Sequence, residues 1–324
     1  MKAIVCTKYG SPDVLEMKEV EKPTPQDKQV LVKIHAASVN YGDSVLVKGK
    51  PFISRLMGYG LLKPKYSILG TDIAGQVEAV GGNVKQFQPG DPVFGDISEC
   101  GFGAFAEYVS VPAKALTLKP VNVTFEQAAA VPQAAVVALQ GLRDKGKIQA
   151  GQKVLINGAS GGIGTFAVQI AKSFGAQVTG VCSTKNLDLV RSIGADQVID
   201  YTQKDFTQGE QQYDLIFDIV ANRSISDYLR ALGPKGNYVA CAFNPSSLFL
   251  GPLLSKRGSK QVSSLIHKPN YQDQVFMKEL LEAGKVAPII DRRYPLSEVP
   301  KALRHLEQEH PQGKVVITVA NNSN

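Results

Sequence analysis

The sequence predicts a two-domain α/β protein: a doubly wound parallel sheet beside a β-rich, partly open barrel built from both chain ends. Three observations carry that expectation. Strand and helix patterns alternate between Lys153 and Ile266. Short strand-like runs separated by glycine and proline turns fill residues 1–120. The closing run Gly313–Ala320, GKVVITVA, alternates like a strand with no parallel-sheet context, so it is assigned to the first domain. The expected boundaries are 1–122 with 268–324 for the β-rich domain and 123–267 for the parallel-sheet domain. A chain of 324 residues is long enough for both.

In the first domain, strands are expected at Ala3–Cys6, Val14–Glu19, Val30–Ala36, Asp72–Val80, Pro92–Gly95 and Phe105–Val111. Gly-Gly-Asn at 81–83 and Pro-Gly-Asp at 89–91 supply turns between them. Pro51–Pro64 carries Arg55, Met57 and Tyr59 among glycines and reads as a loop over a site. Thr124 followed by Gln127 three residues later is a helix start, and a second helix follows Pro132 to about Asp144. Beyond it, strands are expected at 153–156, 177–182, 197–201, 213–220, 237–242 and 261–266, with helices at 187–193 and 226–232 between them. Such alternation gives a parallel sheet with helices on both faces. The tail reads as a helix at 273–283, a strand near 288–291 and a helix at 297–309.

The stretch from Lys153 to Lys172, KVLINGASGGIGTFAVQIAK, is the most informative. Lys153–Ile156 reads as a buried strand, and Gly158, Gly161, Gly162 and Gly164 follow within seven residues. Ile163, Phe166, Ala167, Ile170 and Ala171 recur at helical spacing, so a helix starts inside the glycine run. Backbone N–H groups converge at such a turn, the helix dipole favours anions, and missing side chains admit phosphates. Any glycine run can be a plain turn, but the strand before this one and the helix behind it point to a dinucleotide site.

Composition bounds the rest. Hydrophobic residues make up 44% of the chain and charged residues 20%, which fits a globular protein with a real core. No apolar run is long enough for a membrane span, and MKAIVCTKYG passes straight into a strand pattern without a signal or transit peptide, so a cytoplasmic protein is expected. Cys6, Cys100, Cys182 and Cys241 are far apart and lack metal-ligand spacing, which fits reduced thiols. The net charge of +7 includes no basic block interleaved with aromatics, so no nucleic-acid partner is expected. His35, His267, His305 and His310 form no pair with ligand spacing and take structural readings.

Several motifs in order resemble the zinc-independent quinone oxidoreductase and enone reductase group of the medium-chain dehydrogenase/reductase superfamily. They are Ala37-Ser-Val-Asn40-Tyr-Gly-Asp43, Leu69-Gly-Thr-Asp72-Ile-Ala-Gly75, Gly90-Asp-Pro-Val-Phe-Gly95, Gly103-Ala-Phe-Ala-Glu-Tyr108, the glycine run, Gly194-Ala-Asp-Gln-Val-Ile-Asp-Tyr201 and Gly313-Lys314. The resemblance covers nearly the whole chain, and it is strongest to chloroplast-envelope quinone oxidoreductase homologues. It implies a Rossmann cofactor domain and a GroES-like substrate domain. Zinc-dependent members have a ligand cysteine where this chain has Asn40, and Gly-His-Glu where it reads Gly70-Thr71-Asp72. An amide and a threonine are poor zinc ligands, so no metal is expected.

The resemblance also implies a nicotinamide cofactor. NAD-binding versions of the fold carry an acid about 20 residues past the first glycine. Here Val181–Asn186 contains none, and Ser183 and Lys185 suit a 2′-phosphate, with Asn186 beside them. Tyr201 matches a tyrosine that relatives place on that phosphate, so NADPH is expected. A competing reading has Ser183 and Thr184 capping the next helix. Cofactor contacts are further expected from Ser160, Gly161, Gly162, Ile163 and Gly164, from Val220, Ala242 and Phe243 after their strands, and from Asn40 and Lys314.

Hydride delivered to a quinone or an enone leaves charge on an oxygen, which calls for hydrogen-bond donors. By the family pattern Asn40 and Tyr41 are those candidates, with Tyr59 from the loop; Asp43 is a further catalytic candidate, with holding the local backbone or Asn40 as its alternative role. The expected function is NADPH-dependent reduction of quinones or α,β-unsaturated carbonyls. Its alternative is an NADPH-binding protein with a redox-sensing, structural or RNA-binding role. The resemblance further implies a homodimer, with Gln261–Ile266 continuing the sheet into its partner, and a weak peripheral membrane association.

Overall fold

A computed structural model describes residues 1–52, 55–209, 211–241 and 259–319. The chain separates into two compact units. The first comprises Met1–Gln133, Pro269–Glu282 and the stretch from Pro288 onward; the second comprises Ala134–Lys268 with Ala283–Ala287.

In the first unit β1 (Lys2–Cys6) and β2 (Leu15–Glu19) form an antiparallel pair. A seven-stranded sheet contains β3 (Gln29–Val39), β4 (Asp72–Val80), β5 (Pro92–Asp96), β6 (Tyr108–Pro112) and the short β7 (Thr117–Leu118). Its middle is the long β3, which takes β4 along one edge and β6 along the first half of the other. Alternating apolar residues point its side chains into one core: Val30, Val32 and Ile34 pack with Ile73, Val77, Val93 and Phe105.

The second unit holds a six-stranded sheet of β8 (Lys153–Asn157), β9 (Gln177–Cys182), β10 (Gln197–Asp200), β11 (Tyr213–Asp218), β12 (Leu232–Ala240) and β13 (Gln261–Ser264). All its pairings are parallel and the order is β10-β9-β8-β11-β12-β13. The chain therefore winds outward from β8 to β10, returns to β11 and winds the other way. That reversal between β8 and β11 is the topological switch point, where such sheets bind ligands at the carboxyl ends of their strands.

The last two strands, β14 (Ile290–Pro295) and β15 (Lys314–Thr318), complete the first unit's sheet, with β15 antiparallel to the second half of β3. β15 also runs parallel to β14. The closing strand thus has the parallel neighbour its sequence did not suggest. Between them the Val299–Gln308 helix crosses over, burying Val299, Ala302 and Leu303 in the first core. That spacing puts all three on one helical face.

Some expected elements shift. Phe105–Glu107 is not part of β6 but runs against β1, with Ile4 N–H donating to Phe105 C=O at 2.8 Å. The loop after Pro51 contains a π-helical turn, Arg55–Tyr59. The helix from Pro132 is α-helical only to Leu139, and Gln140–Lys145 continues it as a π-helical turn. β12 begins at Leu232, five residues before the expected Asn237. Thr124 caps its helix as expected, accepting from Gln127 N–H at 3.2 Å while Gln127 Oε1 accepts from Thr124 N–H at 2.9 Å. Ala242 and Phe243 lie outside the described residues. Among the described residues no helix is long and apolar enough to cross a membrane.

Candidate active site

The glycine run sits at the switch point. Asn157 ends β8, and Gly158 turns the chain at φ +90°. The N–H groups of Gly158 and Ala159 both donate to Val181 C=O, at 3.1 and 3.0 Å. A Cβ on Gly164 would stand 2.0 Å from Gly158 O, so the turn closes only with glycine there. A Cβ on Gly161 would meet nothing nearer than 3.6 Å. Gly161 is therefore dispensable for the turn itself, and its bareness leaves room beside the backbone. The Gly162–Ser173 helix starts here, and its first ladder bond runs from Thr165 N–H to Gly161 C=O at 2.9 Å. The N–H groups of Gly162, Ile163 and Gly164 stay outside that ladder at the positive end of the dipole, as an anion cradle requires.

Beside the cradle, Asn186 is buried and donates to Ser160 Oγ at 2.8 Å and Ser183 Oγ at 3.3 Å. It ties the end of β9 to the glycine loop. Lys185 is exposed, and Tyr201, after β10, is 45% exposed with its N–H on Cys182 C=O. Asp200 also stands here, which spacing along β9 could not reveal. Its oxygens accept from the hydroxyls of Thr184 and Thr202, at 2.5 and 2.7 Å. Hydrogen bonds, that from Thr184 foremost, hold its carboxyl below the usual range. Val220 follows β11, with its side chain against Gly158.

Between these segments lies a network that sequence reasoning missed. Asp218, fully buried at the end of β11, accepts at Oδ1 from Asn157 Nδ2 (2.9 Å) and from the N–H groups of Val220 and Ala221 (3.2 and 3.0 Å). Its Oδ2 accepts from Tyr238 OH at 2.7 Å. Asn157 also donates to Tyr228 OH at 3.2 Å, and the rings of Tyr228 and Tyr238 stack at 4.6 Å. Burial foremost pushes the Tyr228 phenol up.

A second polar cluster belongs to the first unit. Gly313, at φ +91°, lies so close to Ile289 that a Cβ would meet its carbonyl oxygen at 2.3 Å. This approach lets Lys314 N–H bond Ile289 C=O at 2.8 Å and starts β15 with Lys314 turned inward and 3% exposed. Lys314 Nζ donates to Asn40 Oδ1 at 2.5 Å and Val39 O at 3.2 Å, and stands 3.6 Å from Asp72 Oδ2. Asn40 Nδ2 donates to Thr71 Oγ1 and Asp72 Oδ2, both at 2.9 Å. Ser38 Oγ adds a bond to Asp72 Oδ2 at 2.8 Å, and Gln133 N–H reaches Asp72 Oδ1 at 3.0 Å.

Asn40 ends the β3 side of this cluster and caps the Tyr41–Lys48 helix. Asp43, in the first turn, accepts from Asn40 N–H at 2.8 Å through Oδ2, while its buried Oδ1 has no partner. Burial raises the Asp43 carboxyl to about 7 and raises Asp72 too, against the pull of Lys314. Burial likewise lowers the Lys314 ammonium.

The structure thus brings Asn40, Asp43 and Lys314 into one hydrogen-bonded cluster, in which neither the Tyr41 nor the Tyr59 side chain takes part. Tyr41 is 73% exposed on the helix's first turn. Tyr59 is half-buried, its carbonyl accepting from Tyr9 OH at 3.0 Å and its ring 6.1 Å from Phe102. Both Nδ2 hydrogens of Asn40 are engaged within the cluster. The amide expected to donate to a substrate oxygen has no hydrogen left for it, and the sequence could not show this because its partners Thr71, Asp72 and Lys314 are remote in the chain. Among the described residues no three His, Cys, Asp or Glu side chains gather as metal ligands.

Comparison with known proteins agrees with this architecture. Residues 26–121 match the alcohol dehydrogenase GroES-like domain family, and residues 193–317 match the zinc-binding dehydrogenase family. The chain is 33% identical to an NADPH-dependent alkenal/one oxidoreductase of Arabidopsis thaliana chloroplasts, over 98% of this chain and 79% of that one. It is 31% identical to the chloroplast envelope quinone oxidoreductase homolog of the same plant, over 98% of each. Among solved structures, the quinone oxidoreductase of Coxiella burnetii superposes with a TM-score of 0.88 at 29% identity, over 99% of both chains. With a parallel sheet reversing at a glycine cradle, a GroES-like sheet, and Asn40 and Thr71 where zinc-dependent members carry ligands, the chain belongs to the zinc-independent quinone oxidoreductase group of the medium-chain dehydrogenase/reductase oxidoreductases.

Proposed function

We propose that the chain is an NADPH-dependent reductase of quinones or α,β-unsaturated carbonyls. The observation that carries the cofactor is the pairing of a bare Gly161 cradle with an acid-free end of β9, where Ser183, Lys185 and Asn186 stand. The free N–H groups of Gly162, Ile163 and Gly164 hold the pyrophosphate; Ser183, Lys185 and Tyr201 hold the 2′-phosphate. Asp200 keeps its negative charge while accepting from Thr184 and Thr202, so in this reading Lys185 and the hydroxyls outweigh its repulsion of the 2′-phosphate. When bound, the cofactor supplies the hydride. The substrate class is supported by the names of the Arabidopsis relatives, one an alkenal/one oxidoreductase and one a quinone oxidoreductase homolog.

What the protein supplies is charge control. Lys314 and Asp72 put a buried cation and anion on either side of Asn40 and fix its amide, with Asp43 fixing the backbone before it. The working assembly is a homodimer in this reading. Loss of NADPH absorbance with a panel of quinones and enones tests the function, run against NADH as the competing cofactor. Turnover with NADPH on at least one of the two classes is expected. Folded protein that turns over none of them would reject the reading, and tight NADPH binding without turnover would favour the non-enzymatic alternative.

A further inference from the structure

We propose that Thr71 is a catalytic residue, its hydroxyl donating the hydrogen bond to the substrate oxygen that gains charge as hydride arrives. The proposal rests on the reductase reading above and is carried by counting hydrogens in the Lys314–Asn40–Asp72 cluster. An ammonium has only hydrogens to offer, so the atom of Asn40 at 2.5 Å from Lys314 Nζ is its oxygen, which fixes the amide's orientation. Nδ2 must then give its two hydrogens to Thr71 Oγ1 and Asp72 Oδ2. Ser38 gives its hydrogen to Asp72, and Lys314 is engaged with Val39, Asn40 and Asp72.

Thr71 alone differs. Its oxygen uses a lone pair to accept from Asn40, so its own hydrogen must point elsewhere, and it has no acceptor among the described residues. Thr71 is 4% exposed, so water has little access to that hydrogen either. A donor held by a polarised amide and lacking an acceptor is pre-organised for a ligand oxygen. Asn40 is then a positioning residue, since its N–H is what turns the Thr71 hydrogen away from the amide.

The step balances without proton loss from Thr71. Hydride adds to the β-carbon of an enone, the C=C electron pair moves to the carbonyl side, and the oxygen becomes an enolate that accepts from Thr71. Water then protonates the α-carbon. With a quinone, the two-electron reduction leaves a hydroquinone anion that Thr71 stabilises before water protonates it.

The test compares wild type, Thr71→Val and Thr71→Ser in two measurements: NADPH affinity from its fluorescence, and stopped-flow hydride transfer to a quinone and an enone that wild type reduces. We expect Thr71→Val to slow hydride transfer about 100-fold with NADPH affinity within about threefold, and Thr71→Ser to recover most of the rate. Should the valine variant not fold, Thr71→Cys, with its weak donor, reads the same loss. A valine or cysteine variant as fast as wild type overturns the proposal and leaves the reductase reading intact. So does a slow variant whose NADPH affinity falls in step and which serine does not recover. Wild type inactive on every substrate overturns both.

Discussion

Each unit holds a fully buried aspartate that accepts several hydrogen bonds, Asp218 in one and Asp72 in the other, and the two are neutralised differently. Asp218 is surrounded by uncharged donors: an amide, a phenol and two backbone N–H groups. Asp72 takes a hydroxyl, an amide and a backbone N–H, and a buried lysine stands 3.6 Å away. The first arrangement is closed, its donors all matched. The second keeps a desolvated cation, a carboxyl in Asp43 pushed to about 7, and open valences at Asp43 Oδ1 and the Thr71 hydroxyl. Buried networks that are complete act as scaffold, whereas those left incomplete hold groups ready for chemistry.

The sharpest way to break the contrast is to remove the cation. Lys314→Met leaves Asp72 buried without its counter-charge and should cost about 3–5 kcal/mol in denaturant unfolding. Adding Asp72→Asn to it should recover part of that loss; a double variant no better than the single would place the cost in packing instead of charge.

The titrating group separates the units next. Asp43 has a raised carboxyl, so the folded state holds its proton over a range where the unfolded chain has released it. Its contribution is complete below about 4 and lost as pH rises through about 7, with a slope of at most about 1.4 kcal/mol per pH unit. Asp43→Asn removes that dependence, so its stability relative to wild type should climb between those limits. A difference that stays flat with pH would show that Asp43 does not titrate there. Asp218→Asn, in contrast, should cost about 2 kcal/mol, because the new amide hydrogens oppose donors already in place.

The smallest effect is expected at the cradle. Gly161→Ala meets no atom closer than 3.6 Å and should leave stability unchanged while weakening NADPH about tenfold, or about 1.4 kcal/mol. Titration of NADPH fluorescence against the melting temperature checks both halves. Gly164→Ala should instead damage the turn, with its Cβ 2.0 Å from Gly158 O.

Local signals carried most of the fold. The glycine run, the strand before it and the helix after it were visible because each is written in consecutive residues, as was the Thr124 cap. The strand near 288–291 was also readable, but its extension to Pro295 and its parallel pairing with the closing strand were not, because β14 is half-exposed and polar, IDRRYP. The candidate site divides in the same manner. Gly158–Gly164 and the acid-free Ser183–Asn186 segment are local and readable. Lys314 reaches Asn40 across most of the chain, and Asn157 meets Asp218 only because their strands are neighbours in the sheet. Asp200 escaped notice because its proximity to Thr184 comes from the β9–β10 pairing, not from spacing along one strand. In the sequence Thr71 marks only a missing zinc ligand, since its unengaged hydrogen emerges once the Asn40 amide is oriented.

Whether complete networks serve as scaffold and incomplete ones serve chemistry can be decided by removing one hydroxyl from each. Tyr238→Phe and Thr71→Val can be compared for unfolding free energy and for kcat with NADPH and one accepted substrate. Tyr238→Phe should lose about 1 kcal/mol of stability with kcat within about twofold, while Thr71→Val should lose about 100-fold in kcat. The reverse pattern, with kcat falling at Tyr238 and unchanged at Thr71, would contradict that division of roles.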